Sequence, residues 1–173
     1  LGQLALIHLG AVAAVFYQGA SARGFGFLPD RRDWAAGFRY FLLFLPIGFP
    51  LALWMHLIRF TPAEIVWWRV LGTFLGILWV VALSEELFFR GLLQTWVREW
   101  TGNTTAALLL SSALFGLCHL WFPRSAFPNW PMALAAAIAG CFYGRAFDRV
   151  GSVRAGMVTH ALVVTVWRTI FSS

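Results

Sequence analysis

The chain has 173 residues, of which 60% are hydrophobic and 12% are charged. Soluble domains contain roughly 45 to 50% apolar residues, so this composition excludes an ordinary soluble domain and indicates a polytopic membrane protein. The formal net charge of +6 comes from arginine alone. Because the arginines are scattered among the predicted loops and form no basic stripe, we expect no nucleic-acid partner.

The sequence contains no repeat of fixed period and no low-complexity tract, so residues 1–173 are predicted to form a single membrane domain. It begins with Leu1 instead of methionine, and residues 1–18 have no basic region typical of a signal peptide, so we do not predict a signal peptide there. We interpret the sequence as a fragment of a longer chain. Cys118 and Cys141 lie in apolar segments without CxxC spacing. We predict that both are buried structural thiols.

The pattern of apolar stretches predicts an all-α bundle of about six transmembrane helices with a membrane-embedded polar cavity, since roughly 20 residues cross a bilayer. We expect Pro46 and Pro50 to kink the second span or to make it re-enter. Residues 19–39 have the composition of a loop. The predicted spans lie at 4–16, 40–57, 62–100, 104–120, 133–147 and 155–171.

The third of these spans is predicted to start with a cap, in which Thr61 precedes Pro62 and Glu64 stands three residues after Thr61. No cluster of turn-forming residues follows until Thr101-Gly102-Asn103, so residues 62–100 should form one long helix or two nearly collinear helices. Gly140 and Gly144 have the spacing that permits close helix packing.

Two adjacent carboxylates and an arginine follow nineteen almost wholly apolar residues, 65–83. Charged groups at membrane depth cost roughly 2.5 to 3.5 kcal/mol each, so they usually face a protein interior and mark function. On a helix, Glu86 and Arg90 stand four residues apart and can pair. Glu85 is rotated by about 100° from Glu86 and stays free.

Two histidines lie at depths that allow contact with Glu85. Glu85 is 17 residues before Gly102 and His119 is 17 residues after it, so in a hairpin both lie roughly 26 Å from the turn. His160 follows Arg154 by about 9 Å of helix. The three side chains should therefore meet in a cavity just below the surface that carries the Gly102 turn, which the arginine distribution assigns to the cytoplasm.

A carboxylate and two imidazoles in a semi-dry cavity can position and deprotonate a water molecule. A histidine can also donate a hydrogen bond to a developing oxyanion. This combination indicates hydrolysis without a covalent intermediate. Ser84, Ser111 and Ser112 are nucleophile candidates by residue type only, and no Asp lies at a depth that would complete a Ser-His-Asp triad.

The ordered motifs resemble the three-motif signature of the CPBP family, which includes type II CAAX prenyl endopeptidases and bacterial bacteriocin-processing and Abi-like self-immunity proteins. The resemblance covers about residues 80–170. The matching residues are Glu85-Glu86-x-x-x-Arg90, Phe115-x-x-x-His119, and Gly151-Ser152 followed by a helix with His160-Ala161.

This resemblance implies a glutamic intramembrane protease with its core at about residues 62–171. It implies that Glu85 activates the water, while His119 and His160 position it or stabilise the tetrahedral intermediate. Glu86, Arg90 and Phe115 are implied to support the site.

The resemblance also implies an integral protein of the bacterial inner membrane with its active site toward the cytoplasm and without a cofactor. Its expected partners are membrane lipid and a peptide or membrane-anchored protein substrate, either prenylated or a bacterial precursor.

One position departs from the family pattern. The family usually has Asn or Asp four residues after the last histidine, where it helps to form the oxyanion pocket, and this chain has Val164 there. Thr165 is about 100° away from that face. Losing one oxyanion donor costs on the order of 10² to 10³ in rate, unless the backbone or Thr159 replaces it.

Three alternatives stay open. A divalent metal such as zinc could be bound by Glu85, His119 and His160 and activate water, and a chelator would distinguish this mechanism. A non-catalytic membrane immunity or scaffold protein could keep the fold without the oxyanion donor, as Val164 suggests. A small transporter could use Glu85 and the histidines as a proton relay, although the sequence lacks the internal symmetry typical of transporters.

Overall fold

The computed structural model describes residues 26–61, 64–122 and 127–172, so the predicted first span, 4–16, lies outside the described residues. The described part is all-α apart from one short strand pair. Strand β1 (Arg59–Phe60) pairs antiparallel with β2 (Phe171–Ser172). The helices are α1 (Arg31–Trp54), α2 (Trp67–Thr101), α3 (Thr104–Leu117), α4 (Trp130–Val150) and α5 (Val153–Ile170).

The predicted fold class is confirmed as all-α, and α1 and α2 are long and apolar enough to cross a membrane. The apolar helix α3 is shorter, and the number of six spans stays a prediction. Exposed tryptophans occur at Trp54, Trp67, Trp68 and Trp130. These residues lie at the end of α1 or the starts of α2 and α4, where an aromatic belt is typical of a membrane–water interface.

Helix α1 begins inside the segment that we expected to be a loop up to Arg39. Its N-cap is Asp30, whose carboxylate accepts hydrogen bonds from the backbone N–H groups of Arg32 and Asp33, while the Asp33 carboxylate accepts from the Asp30 N–H. The Asp33 N–H that donates to Asp30 lowers the pKa of the Asp30 carboxyl. This capping box starts the helix at Arg31, and the helix continues through Pro46 and Pro50.

Helix α2 confirms the predicted long helix, but it starts later than expected. Its N-cap is Val66, which offers no side-chain hydrogen bond, and Glu64 precedes the helix. The predicted positions Pro62 and Ala63 lie outside the described residues. Two π-helical segments, Ile77–Ala82 and Leu87–Gln94, flank the four-residue α segment that carries both glutamates. Such segments occur frequently at functional sites.

The turns at Gly102 and Gly151 lie at the same end of the bundle as the start of α1. Both glycines have left-handed backbones, with φ of 66° and 68°, which glycine adopts at little cost. Arg98 Nη1 lies 3.2 Å from Asp148 Oδ1, joining the ends of α2 and α4. Arg154 Nε lies 2.9 Å from Asp33 Oδ2, joining the starts of α5 and α1. The predicted antiparallel order is therefore confirmed for these helices.

Gly140 and Gly144 provide close packing within the chain. A Cβ at Gly140 would lie 3.0 Å from Arg90 Nη2, and one at Gly144 would overlap with Leu108 Cδ1. Helix α4 therefore lies directly against α2 and α3, as the GxxxG spacing predicted.

One packing prediction is wrong. Cys118 is exposed and Cys141 is half-buried, because Cys118 follows the end of α3 and leaves the helix packing.

Candidate active site

Glu86 and Arg90 form a fully buried ion pair on α2. Arg90 Nε lies 3.1 Å from Glu86 Oε2, and Arg90 Nη1 donates a 3.1 Å hydrogen bond to Glu86 Oε1. Both side chains are 0% exposed. The i, i+4 spacing predicted this contact, and burial of both charges makes it depend on good pairing geometry.

Arg90 also connects the pair to neighbouring helices. Its Nη2 donates a 3.0 Å hydrogen bond to the carbonyl oxygen of Gly140 on α4. Its guanidinium carbon lies 4.6 Å from the ring centroid of Phe115 and 5.4 Å from that of Tyr143. These contacts fix Arg90 from three sides and satisfy part of the hydrogen-bonding capacity of a buried guanidinium.

His160 reaches the same ion pair from α5. Its Nδ1 lies 2.9 Å from Glu86 Oε1, and because a carboxylate only accepts hydrogen bonds, Nδ1 carries the proton and donates. In the neutral ring, Nε2 is then left as an acceptor. A Cβ at Gly156 would lie 2.7 Å from Glu86 Oε2. The absence of a side chain there allows α5 to approach the carboxylate.

Glu85 has a different environment from Glu86. Its Oε2 lies 3.8 Å from His160 Nε2, beyond direct hydrogen-bond distance. This oxygen is buried and has no hydrogen-bond partner among the described residues. As predicted, the Glu86 carboxylate is held in an ion pair, whereas Glu85 Oε2 has no hydrogen-bond partner among the described residues.

His119 lies in the turn that follows α3. Its Nδ1 lies 2.8 Å from the carbonyl oxygen of Phe115, so Nδ1 donates and Nε2 is the ring nitrogen left for the cavity. The ring centroids of His119 and Phe115 are 4.7 Å apart. Phe115 also meets the ring of His160 edge-on at 5.9 Å. Phe115 thus orients both imidazoles.

Glu85, His119 and His160 line one cavity of about 240 Å³. A smaller cavity of about 60 Å³ also reaches His119 and His160, and its other walls come mainly from apolar residues of α1, α4 and α5. The structure therefore brings together the three predicted site residues around a space large enough for several water molecules.

The position of the cavity corrects the expectation that it opens below the Gly102 turn. Its lining includes Phe122, in the connection after α3, and Trp167 and Arg168, in the last turn of α5. These residues lie at the opposite end from Gly102 and Gly151. The physical reason is that α3 ends at Leu117, so His119 marks the far end of that helix. A cytoplasm-facing site then requires this end to face the cytoplasm.

Tyr143 is a site residue that the sequence analysis missed. Its ring stacks on His160 with centroids 4.6 Å apart and an interplanar angle of 12°. It is also buried and lines the smaller cavity. The available signal was its place between Gly140 and Gly144, on a helix expected to pack closely, but nothing in that spacing indicates contact with His160.

Several hydroxyl groups that were candidates from the sequence donate hydrogen bonds to backbone carbonyls outside the cavity. Ser84 donates to the Val80 and Val81 carbonyls, and Ser111 donates to the Phe89 carbonyl. Thr159 donates to the Gly37 carbonyl, so it is not a substitute oxyanion donor. Ser112 and Thr165 have buried hydroxyls without a hydrogen-bond partner among the described residues, and neither lines the cavity that contains Glu85.

The predicted metal alternative lacks a matching ligand geometry. Within 26–61, 64–122 and 127–172, no three His, Cys, Asp or Glu side chains are grouped so that they could hold a metal ion. Glu85, His119 and His160 surround the cavity without forming such a group.

An all-α bundle with two helices long and apolar enough to cross a membrane, together with a buried carboxylate–imidazole cluster, is consistent with a helical membrane protein. The sequence model of the type II CAAX prenyl endopeptidase Rce1-like family matches residues 66–166. The chain belongs to this family, which confirms the resemblance drawn from its motifs. It is accordingly a CAAX-type intramembrane protease in the general sense and an integral membrane protein.

Comparison with curated proteins gives no match, and comparison with solved structures gives none either.

Proposed function

We propose that the protein hydrolyses a peptide bond near the membrane surface with a water molecule activated by Glu85. The observation that carries this proposal is the contrast between the two glutamates. Glu86 is neutralised by Arg90 and bonded to His160, whereas Glu85 Oε2 is buried and unpaired opposite His160 Nε2. The free carboxylate is the one available as a general base.

The gap between Glu85 and His160 suits a water molecule. With Nδ1 of His160 donating to Glu86, the neutral ring presents Nε2 as an acceptor. Glu85 Oε2, 3.8 Å away, is also an acceptor. A water can donate one hydrogen to each and direct its oxygen lone pairs into the cavity, which is the orientation that a nucleophile needs.

The reaction balances with these groups alone. Glu85 takes a proton from the water molecule, and the oxygen of that water forms a bond to the scissile carbonyl carbon. The protonated Glu85 then gives that proton to the amide nitrogen, and the carbon–nitrogen bond breaks. His119 can donate through Nε2 to the oxyanion when its ring is protonated, because Nδ1 is already used by the Phe115 carbonyl.

The position of the site supports a substrate that is associated with the membrane. The cavity is embedded among apolar helices, so a peptide or a membrane-anchored protein reaches it from the bilayer surface. We propose precursor processing or protein sorting in a bacterial inner membrane as the role. The end that carries the α3–α4 connection is the side from which substrate approaches.

The test is cleavage of a membrane-anchored peptide library by the purified protein in liposomes, with and without a chelator of divalent metals. We expect cleavage that resists the chelator, because the proposed base is a carboxylate. Cleavage that disappears on chelation and returns with zinc would establish the metal mechanism instead. Absence of cleavage by folded protein across the library would refute the protease proposal.

A second candidate, a non-catalytic immunity or scaffold protein of the same fold, is favoured by Val164. This apolar side chain lines both cavities beside His119 and His160, at the position where the family usually has an amide or carboxyl group.

Val164→Asn is expected to raise the cleavage rate of an active protein by about 10²-fold, since one oxyanion donor is typically worth 10² to 10³. The measurement is the initial rate on the same library. Val164→Leu is the matched control, because leucine has the same number and branching of side-chain heavy atoms as asparagine but no donor. Equal rates for the Asn and Leu variants would show that position 164 does not contact the oxyanion.

A further inference from the structure

An unpaired cation lies in the wall of the site cavity. Arg168, in the last turn of α5, lines the same space as Glu85, His119 and His160. Among the residues that the structure describes, Arg168 has no ion pair, although Arg90, Arg98 and Arg154 each contact a carboxylate. Its side chain is exposed at the edge of the cavity and is therefore available to a ligand there.

Arg168 lies on the same face of α5 as His160. His160, Val164 and Arg168 are spaced four residues apart, so they follow one face of the helix. Arg168 lies two turns beyond His160, roughly 12 Å along the helix axis. This distance is too great for a contact with the oxyanion, so Arg168 is placed to bind another part of the substrate.

The cavity has a simple charge pattern. Among the residues that the structure describes, its other lining side chains are apolar apart from Glu85 and the two histidines, so Arg168 is the only permanent cation in the described part of that lining. A position at the C-terminal end of a helix stabilises a cation, which explains why arginine is tolerated there. It does not account for the place of Arg168 in the lining of the site.

We propose that Arg168 is a specificity residue that binds a carboxylate of the peptide substrate, at a distance from the bond that is cleaved. This inference rests on the proposed function and deepens it by naming the chemistry of the substrate. The carboxylate can be the free C-terminus or an acidic side chain. Arginine suits either, since its planar guanidinium donates two parallel hydrogen bonds to a carboxylate.

Binding of short peptides tests this independently of cleavage. Three fluorescent, N-acetylated hexapeptide pools differ only at the C-terminus: a free acid, a neutral amide, and an amide with one glutamate next to it. Anisotropy is measured with the protein in uncharged detergent, in a Glu85→Gln background so that no pool is consumed. We expect the free acid or the glutamate pool to bind at least tenfold more tightly than the neutral pool, as a charge-assisted hydrogen bond typically provides.

Arg168→Gln should remove this preference, and whichever acidic pool loses affinity identifies the source of the carboxylate. Arg69→Gln is the matched control, because Arg69 is exposed, stacks on Trp68 at 5.0 Å and lines neither cavity. Equal binding of all three pools, or a preference that persists in Arg168→Gln, would overturn the proposal. Arg168-dependent binding of phosphatidylglycerol without a preference among the pools would also overturn it.

The cleavage assay separates this inference from the proposed function. If the library is cleaved, Arg168→Gln should raise KM for carboxylate-bearing substrates and leave kcat close to that of the wild type. If the library is not cleaved but the acidic pool still binds through Arg168, the binding site stands and the protease proposal fails. If the library is cleaved without any preference for a carboxylate, the protease proposal stands and the proposed role of Arg168 fails.

Discussion

Replacing Glu85 by Gln is expected to lower the rate of peptide cleavage by about 10² to 10⁴-fold, the usual contribution of a general base. Glutamine keeps the size and shape of the side chain but cannot take a proton from water. Glu85 Oε2 has no hydrogen-bond partner among the described residues, so the change should leave the melting temperature close to the wild-type value. The measurements are the single-turnover rate and thermal unfolding in the same detergent.

The control for this experiment is Glu99→Gln. Glu99 is exposed near the end of α2 and is far from the cavity, so its rate should match that of the wild type. A Glu85→Gln protein that cleaves at the wild-type rate would remove Glu85 from the mechanism. A large fall in melting temperature would instead assign Glu85 a structural role.

Arg90→Met is expected to lower the free energy of unfolding by about 3 to 5 kcal/mol, the typical cost of removing one partner from a buried ion pair. It leaves the Glu86 carboxylate buried without its cation, and it leaves the Gly140 carbonyl without the Arg90 donor. Methionine fills much of the same space, so the loss reports mainly on charge. The measurement is equilibrium unfolding at a fixed detergent concentration.

Two further variants show whether the charge is the cause. Glu86→Gln combined with Arg90→Met removes both charges and keeps an oxygen that can accept from His160, so it should recover part of the lost stability. Arg69→Met makes the same substitution at an exposed residue and should change stability by less than about 0.5 kcal/mol. If Arg90→Met were as stable as Arg69→Met, the ion pair would not stabilise the fold.

Local signals in the sequence predicted much of the fold, and tertiary contacts account for the differences. The long α2 and the turn at Gly102 follow from the placement of turn-residue clusters, because a single glycine such as Gly91 is tolerated inside a helix, whereas Gly102 stands between Thr101 and Asn103. The start of α1 was missed because Asp30 and Asp33 have the composition of a loop, although their spacing forms a capping box. Arg154 then binds Asp33 across 121 positions of sequence, a contact that no local pattern contains.

In the candidate site, too, local contacts were predicted from the sequence and contacts between helices were not. The i, i+4 spacing of Glu86 and Arg90 is a property of one helix, so the sequence contained that pair. Equal distances from Gly102 correctly placed His119 near Glu85, but they could not show that α3 ends before His119 and opens the cavity at the opposite end. The stacking of Tyr143 on His160 depends on how α4 and α5 are rotated against each other, and helix rotation is not determined by depth alone.

The i, i+4 pairing of Glu86 and Arg90 has a consequence for biogenesis. Both residues belong to α2, so the two charges can neutralise each other as soon as that helix forms, before Gly140 and His160 have been synthesised. Entry into the lipid then involves a paired dipole instead of two isolated ions, which lessens the cost of insertion. The helices made later can assemble around a polar centre that is already closed, and the neighbouring Glu85 carboxyl is not compensated by this pairing.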